Sequence, residues 1–320
     1  MEARWRNIAA VTGALSLLVL LALLATAFPA RGGAGAVSHP DGTCRGEEAT
    51  IETDDGSVRG TNDRDVILVT GNRDVILVGG RGGQIIEGRG GADLICAPAD
   101  DFHEIYGGAG DDRIFGGGRP DFVYPGGGDD RVSTGPGRDL ITDTARFGDD
   151  RYTGGPDPDL IRFSIEGARR GPKGGVTVDL AVGVARGRGN DRLTGIDSVE
   201  GTFGGDVIYG SGGANVIDGI RGGDLILGAE GDDVIRGATQ RFDECGASGD
   251  PSGNDSLLGG GPGDDRILGR CGADRLLGGD GDDTLLGGPQ PKGSRGDRGE
   301  GGRGTDTCRE LERLRGCESP

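Results

Sequence analysis

The residues best suited to chemistry are aspartates that recur every nine positions near the end of the chain. Asp265, Asp274 and Asp283 each close a glycine-rich run, and an aliphatic residue stands two places after each of them. Residues 260–286 read GGPGDDRIL, GRCGADRLL and GGDGDDTLL. Carboxylates at regular spacing, beside backbone that glycine allows to turn sharply, suit a hard cation that prefers oxygen ligands.

The same nine-residue spacing predicts the elements that position these carboxylates. Side chains alternate between the two faces of a β-strand, so one aliphatic residue per repeat can fill a narrow core. Glycine at the first, second and fourth places permits tight turns with positive φ between such short strands. A nonapeptide period of this kind predicts the stacked coils of a parallel β-solenoid.

The nine-residue pattern covers most of the chain in two stretches. We expect a first array at residues 58–165 and a second array at residues 191–288. A connecting segment at residues 166–190 breaks the period. Within it, residues 176–180 alternate as a strand and residues 183–189 read as a loop. Whether the two arrays form one roll or two stays open at this point.

These repeats resemble the RTX, or haemolysin-type, calcium-binding repeat family. The strongest copies are GGAGDD at 107–112, GGPGDD at 260–265 and GGDGDD at 278–283. Residues 190–201 resemble the segment that often introduces such arrays, with Asp197 in place of the usual Glu. The resemblance implies an all-β fold, a parallel β-roll (a right-handed β-solenoid) of GGxGxDxUx repeats in which turns eighteen residues apart stack and bind several Ca²⁺ ions.

The resemblance also implies the calcium ligands, which are carboxylates at the sixth place of each turn together with carbonyls of the glycine-rich loop. Copies that lose a glycine, such as GRGGAD (88–93), GTFGGD (201–206) and GIRGGD (219–224), are expected to stack without holding an ion tightly. The implied metal ligands are Asp112, Asp121, Asp130, Asp139, Asp206, Asp224, Asp233, Asp265, Asp274 and Asp283. The implied stacked pairs are Asp112 with Asp130, Asp121 with Asp139, Asp206 with Asp224, Asp265 with Asp283, Asn215 with Asp233, and Asp74 with Asp93 one residue out of register.

The composition makes a cation the natural partner. The 320 residues include 71 glycines and carry a net charge of −18, while hydrophobic residues make up only 33%. A thin core needs stabilisation from metal ions or disulfides. Strong acidity disfavours nucleic acid and anionic membrane surfaces as partners. We therefore expect folding that depends on calcium.

The N-terminus has the pattern of an export signal. Arg4 and Arg6 precede an apolar run from 8 to 27, and small residues at 25–27 suit cleavage before Phe28. We interpret residues 1–27 as a signal peptide, with an uncleaved membrane anchor as the alternative, since the run is long enough to span a bilayer. Both readings place the rest of the chain outside the cytoplasm, and contact with a membrane is expected only without cleavage.

The six cysteines fit that oxidising location, and their even number suggests three disulfides among 15 conceivable pairings. The pairings we propose are Cys44–Cys96, Cys245–Cys271 and Cys308–Cys317. Residues 28–57 are read as a linker and N-terminal cap. Residues 289–320 are read as a Pro/Gly-rich tail followed by a small cap, in which Leu311 and Leu314 fit one short helix.

The sequence shows no sign of catalysis. It lacks H-E-x-x-H and G-x-S-x-G motifs, and the repeat already accounts for most of its acidic residues. The first hypothesis is a secreted, non-enzymatic calcium-binding protein. The alternatives are a metal-free β-solenoid that acts as an extracellular hydrolase, or an adhesin whose candidate surface is Phe115, Phe122 and Tyr124.

Overall fold

The computed structural model describes residues 84–97, 101–144, 148–163, 174–187, 189–237, 256–288 and 296–318, together with five short strands nearer the N-terminus. Every regular element in this part of the chain is a β-strand, in agreement with the predicted all-β class. None of the described residues forms a helix long and apolar enough to cross a membrane. The predicted signal or anchor at residues 1–27 lies outside the described residues.

Two long sheets run side by side, and the chain alternates between them. Thr43–Cys44 and Glu47–Glu48 form a separate antiparallel pair. Sheet 1 has 15 strands, in spatial order Ser57–Arg59, Val75–Leu77, Leu94–Cys96, Arg113–Phe115, Arg131–Ser133, Arg151–Thr153, Asn190–Thr194, Val184–Arg186, Thr177–Asp179, Val207–Tyr209, Leu225–Leu227, Leu257–Pro262, Arg275–Asp280, Arg298–Arg303 and Arg313–Arg315. Sheet 2 has 12 strands, in spatial order Val66–Leu68, Gln84–Glu87, His103–Ala109, Phe122–Gly127, Leu140–Asp143, Leu160–Phe163, Ser198–Glu200, Val216–Asp218, Val234–Arg236, Arg266–Leu268, Thr284–Leu286 and Thr307–Arg309.

The pairing register confirms that each nonapeptide forms half a coil. In sheet 2, Val123 pairs in parallel with Ile105 before it and with Ile141 after it, each eighteen residues away. In sheet 1, Ile226 pairs with Ile208 in the same way. Repeats nine residues apart therefore lie on opposite sheets, and repeats eighteen residues apart stack directly.

The core consists of one inward side chain per strand, as the D-x-U pattern predicts. These residues form a column under each sheet and are almost completely buried, whereas in most strands the neighbouring residues are partly or fully exposed. The column under sheet 2 includes Ile86, Ile105, Val123, Ile141, Ile161, Val199, Ile217, Ile235, Ile267 and Leu285. The column under sheet 1 includes Ile76, Ile95, Ile114, Val132, Tyr152, Ile208, Ile226, Leu258 and Leu276.

The segment that breaks the period is a hairpin added to sheet 1. The predicted strand is confirmed as Thr177–Asp179, but the expected loop contains the strand Val184–Arg186, which pairs antiparallel with both of its neighbours. The loop prediction was wrong because residues 184–186 pair with the strands on either side of them in sequence, although the segment lacks the nine-residue pattern. Sheet 2 continues past the hairpin through the pairing of Ile161 with Val199, so the two arrays form a single roll.

The C-terminal segment also differs from expectation. The predicted short helix is absent, because Thr307–Arg309 and Arg313–Arg315 extend the two sheets as strands. Part of the predicted tail forms the strand Arg298–Arg303 in sheet 1. Residues 301–308 read GGRGTDTC, a full turn motif with cysteine at the inward place. That motif was the signal in the sequence for an additional coil.

The Cys308–Cys317 disulfide closes this last coil as predicted, with 5.8 Å between the Cα atoms. Cys96 and Cys271 are also disulfide-bonded. The side chains of Cys44 and Cys245, which we proposed as their partners, lie outside the described residues, so those two pairings stay predictions.

We expect stability to depend on each inward residue separately. Replacing the fully buried Ile226 by Ala removes packing from a core that is one side chain wide, and should lower the free energy of unfolding by about 2–5 kcal/mol. Urea unfolding in excess calcium measures this change. The control Val216→Ala alters an outward side chain that is 40% exposed and should stay within about 0.5 kcal/mol of the parent. Equal losses in both variants would contradict the one-residue core.

Candidate metal centre

The sixth-place aspartates form two buried ladders that run along the roll from coil to coil. One ladder lies in the turns that lead into sheet 1 and the other in the turns that lead into sheet 2. Each described aspartate of these ladders is at most 3% exposed. The backbone N–H of one aspartate donates to Oδ1 of the aspartate in the next coil, as Asp112 does to Asp130 at 2.8 Å and Asp265 does to Asp283 at 2.9 Å. One carboxylate oxygen of each residue is thus used to join successive coils.

The stacked pairs predicted from the sequence are found in this arrangement. The ladder links Asp121 with Asp139, Asp206 with Asp224, and Asn215 with Asp233, in addition to the two pairs above. Asp74, proposed as the partner of Asp93, lies outside the described residues. The long insertions are spanned without a change of geometry, since Asp233 N–H donates to Asp265 Oδ1 at 2.8 Å across 32 residues.

The turns have two forms, which differ in whether the second carboxylate oxygen, Oδ2, accepts a hydrogen bond from its own turn. In the open form, the residues at the second and fourth places both have positive φ, for example Gly279 at 138° and Gly281 at 142°. In most open turns, Oδ2 of the sixth-place aspartate is buried and has no hydrogen-bond partner among the described residues. The aspartates with such an Oδ2 include Asp112, Asp130, Asp224, Asp233, Asp265, Asp283 and Asp306.

In the closed form, the backbone of the turn donates a hydrogen bond to the side chain at its own sixth place. The second residue has no positive φ, and its N–H donates to the sixth side chain, as Gly117 does to Asp121 Oδ2 at 2.7 Å and Thr202 does to Asp206 Oδ2 at 2.7 Å. The turns at 154–159 and 210–215 close in the same way. A carboxylate with both oxygens hydrogen-bonded has little need of a cation.

In open and closed turns alike, the first residue packs against oxygen atoms of its own sixth-place side chain and of the next coil. A Cβ placed on Gly278, the first residue of its turn, would lie 2.2 Å from Asp283 Oδ2 and 2.3 Å from the carbonyl oxygen of Gly301 in the next coil. At Gly107 the corresponding distances are 2.6 Å to Asp112 Oδ2 and 2.3 Å to the Pro125 oxygen. This crowding favours glycine at the first place, although Pro125 and Thr134 occupy it in the open turns that end at Asp130 and Asp139. A carboxylate and a carbonyl this close together are the donors that Ca²⁺ prefers, so these residues fit the ion implied by the sequence.

Four open turns adopt this form without glycine at the second place. Arg89, Ile220, Ala229 and Arg270 all have positive φ, between 66° and 81°. This conformation is costly for residues with a side chain, most of all for a β-branched one. Two copies with a missing glycine, 88–93 and 219–224, are therefore open like the complete motifs, whereas GTFGGD at 201–206 is closed.

Burial raises the pKa of several open-turn carboxyls in the absence of metal. The pKa of Asp130 and Asp224 rises to about 8, and that of Asp112, Asp265 and Asp283 to about 6. Loss of hydration on burial is the main cause, and neighbouring carboxylates add to it. Backbone hydrogen bonds oppose the rise without cancelling it. The metal-free turns thus favour a bound proton at the places where a cation fits.

A second set of aspartates, at the fifth place, was missed by the sequence analysis. These exposed residues form an outer ladder that runs in the opposite direction, with Asp282 N–H donating to Asp264 Oδ1 at 2.8 Å and Thr305 N–H to Asp282 Oδ1 at 2.7 Å. The repeated Asp-Asp dipeptide was the available signal. The outer ladder raises the density of negative charge beside each open turn.

Of the ten aspartates predicted as ligands, eight lie in open turns, and Asp121 and Asp206 lie in closed ones. Their role as ligands stays a prediction. In the described part of the chain, no three His, Cys, Asp or Glu side chains converge on one point. Backbone carbonyls must therefore supply many of the ligands of any ion bound here.

Comparison with known families agrees with this geometry. The family model described as the RTX calcium-binding nonapeptide repeat, in four copies, matches residues 105–141, 193–226 and 259–290. Repeats of this family bind calcium ions. No match was found among curated proteins.

The raised pKa values predict how pH affects the metal-free protein. Between pH 4 and 8 the folded roll retains protons that the unfolded chain releases, so its free energy of unfolding should fall as pH rises across this range. In chelator, the folded fraction measured by far-UV circular dichroism should therefore be larger at pH 5 than at pH 8. The gain of β signal on adding calcium should be larger at pH 8. A folded fraction in chelator that does not change with pH would contradict the proton-bound turns.

The two turn forms predict opposite effects of glycine at the second place. Ile220→Gly removes a strained positive φ and should stabilise the calcium-bound protein by about 1–3 kcal/mol. Thr202→Gly, in a closed turn, removes the hydroxyl that donates to Asp206 at 2.9 Å and should destabilise it. Urea unfolding of both variants measures the difference. A destabilised Ile220→Gly variant would rule out strain at this turn.

Proposed function

We propose that this chain, which carries RTX calcium-binding nonapeptide repeats, is a secreted, non-enzymatic protein whose β-roll folds when calcium binds between its stacked turns. The observation that carries this proposal is the set of buried Oδ2 atoms in the open turns. An unpaired carboxylate oxygen in a buried position is costly, and a cation removes that cost.

Electrostatics makes the dependence on calcium strong. Stacked coils lie about 4.8 Å apart, so each ladder places carboxylates at short range from one another. The outer ladder and the net charge of −18 add to the repulsion. Calcium bound in the open turns neutralises the buried carboxylates and reduces their repulsion with the outer ladder. Because the site exists only in the folded roll, binding and folding are coupled.

The acidic residues away from the turns support a role without catalysis. On the outer face of sheet 2, Glu200 forms an ion pair with Arg162, and Asp218 lies 4.0 Å from Arg236. A glycoside hydrolase needs two carboxyl groups that face a substrate together. These carboxylates are instead neutralised by arginine. The proposed absence of enzymatic activity rests on this pairing and on the absence of catalytic motifs.

The adhesin alternative receives less support. Phe115 belongs to sheet 1, whereas Phe122 and Tyr124 belong to sheet 2, so the three candidates do not form one patch. Tyr124 stacks on Tyr106 with 4.6 Å between ring centroids, an arrangement that accounts for it as local packing.

Secretion is supported by the apolar segment at 8–27 and by the disulfides. The Cys308–Cys317 bond requires an oxidising compartment to form and persist. Calcium at extracellular concentrations would then fold the protein only after export.

A calcium titration tests the proposal directly. Far-UV circular dichroism of the chain without residues 1–27 should show a cooperative gain of β signal with calcium and little change with magnesium, which binds with stricter geometry. A β spectrum that is already complete in chelator and unchanged by calcium would refute calcium-driven folding.

Variants at one turn separate the metal site from general charge effects. Asp283→Asn removes a buried carboxylate with an unpaired Oδ2, and should raise the calcium concentration needed for folding by about tenfold or more. Asp282→Asn removes the same charge at the adjacent exposed position and keeps a side-chain acceptor for the Thr305 N–H. It should change that midpoint by less than about threefold. Equal shifts would mean that net charge, and not the open turn, controls folding.

A further inference from the structure

The last complete turn of the roll, at residues 301–306, lies beyond the ranges matched by the family model. It has the open form, with φ of 129° at Gly302 and 126° at Gly304. Its sequence, GGRGTD, has glycine at the first, second and fourth places. Its aspartate continues the buried ladder, since Asp283 N–H donates to Asp306 Oδ1 at 3.0 Å.

The turn brings together the same two kinds of oxygen atom as the turns within the array. A Cβ on Gly301 would lie 2.3 Å from Asp306 Oδ2 and 2.3 Å from the carbonyl oxygen of Gly316. Asp306 is 1% exposed, and its Oδ2 has no hydrogen-bond partner in the described part of the chain. A buried carboxylate oxygen therefore lies beside a main-chain carbonyl.

The source of that carbonyl distinguishes this turn from the others. Within the array, the carbonyl comes from the first residue of the turn in the next coil, as Gly301 supplies it for Asp283. No complete turn follows residue 306 among the described residues. Gly316 takes the same role from a short terminal segment in which Glu318 N–H donates to the Asp306 oxygen at 2.9 Å.

The disulfide holds this terminal segment in place. Cys317 follows Gly316 directly and is bonded to Cys308, which lies two residues after Asp306. Glu318 adds a β-bridge to Thr307. Both connections fix the Gly316 carbonyl relative to the Asp306 carboxylate.

We propose that residues 301–306 form a terminal calcium site that is completed by the Gly316 carbonyl and depends on the Cys308–Cys317 disulfide. This inference rests on the proposed function, because it assumes that open turns bind calcium. The disulfide and the ion stabilise each other: the disulfide orders a ligand before binding, and the bound ion restrains the segment that carries the disulfide.

Calcium stoichiometry measured by equilibrium dialysis tests the site. Asp306→Asn should bind one Ca²⁺ fewer than the parent protein. Gly301→Ala should lose the same ion, because the substitution keeps the carboxylate charge but its methyl group forces the Asp306 and Gly316 oxygen atoms apart. Glu318→Gln removes the same charge from an exposed neighbouring side chain and should bind as many ions as the parent. Unchanged stoichiometry in both Asp306→Asn and Gly301→Ala would overturn the site.

A disulfide variant tests the coupling. In the double variant Cys308→Val with Cys317→Ser, valine keeps the inward position apolar while the bond is lost. The affinity of one site should fall by about 5–150-fold, the usual range for coupled sites, while the remaining sites keep theirs. Unchanged affinities at all sites would overturn the role of the disulfide.

The effect of the bound ion on the disulfide can be measured from the rate at which the disulfide is reduced. In saturating calcium, dithiothreitol should reduce Cys308–Cys317 faster in Asp306→Asn than in Glu318→Gln, as measured by alkylation and mass spectrometry. Equal rates would overturn the coupling. A parent protein that binds no calcium at all would instead refute the proposed function, so the two failures are distinguishable.

Discussion

The fold depends on how a buried aspartate uses its two oxygen atoms. Oδ1 accepts a backbone N–H from the neighbouring coil, and this bond, repeated along both ladders, sets the stacking of turns whose core is one side chain wide. The same residue brings a charge into the interior at every coil. A structure with so little apolar packing can tolerate this only if each remaining oxygen is satisfied by the chain, by a proton or by a cation.

The two turn forms are two solutions to this problem. In closed turns the second residue donates its N–H to the carboxylate, so the chain satisfies the charge itself. In most open turns, which have positive φ at the second place, Oδ2 has no hydrogen-bond partner among the described residues. Closed turns at Asp159, Asp206 and Asn215 lie around the hairpin inserted in sheet 1. Between residues 228 and 306, the turns that the structure describes in full are open, and they end at Asp233, Asp265, Asp274, Asp283 and Asp306. The demand for calcium is therefore uneven along the roll.

Continuity of the ladders explains how irregular segments are accommodated. Sheet 2 continues past the hairpin, and Asp233 reaches Asp265 across 32 residues with the same hydrogen bond that joins turns eighteen residues apart. At the C-terminus, a short disulfide-bonded segment replaces the missing coil and supplies the carbonyl of Gly316. Insertions and ends are thus tolerated where they preserve the hydrogen bond to Oδ1 and the neighbouring carbonyl.

The sequence by itself determined the nine-residue period and the inward residues, because alternation along a strand and the spacing of aspartates are visible in the order of residues. The resemblance to the calcium-binding repeat family implied the eighteen-residue stacking, and the Cys308–Cys317 bond was a proposed pairing that the structure confirms. Only the tertiary structure decided which turns are open. GIRGGD and GTFGGD both lack the second glycine, yet Ile220 takes a positive φ and Thr202 does not. Hydrogen bonds from Thr202 to Asp206 hold the closed turn, and a bond from Arg221 N–H to the Thr202 oxygen joins it to the open turn of the next coil. The order of residues in a repeat does not show which of these bonds form, because they depend on the backbone conformation.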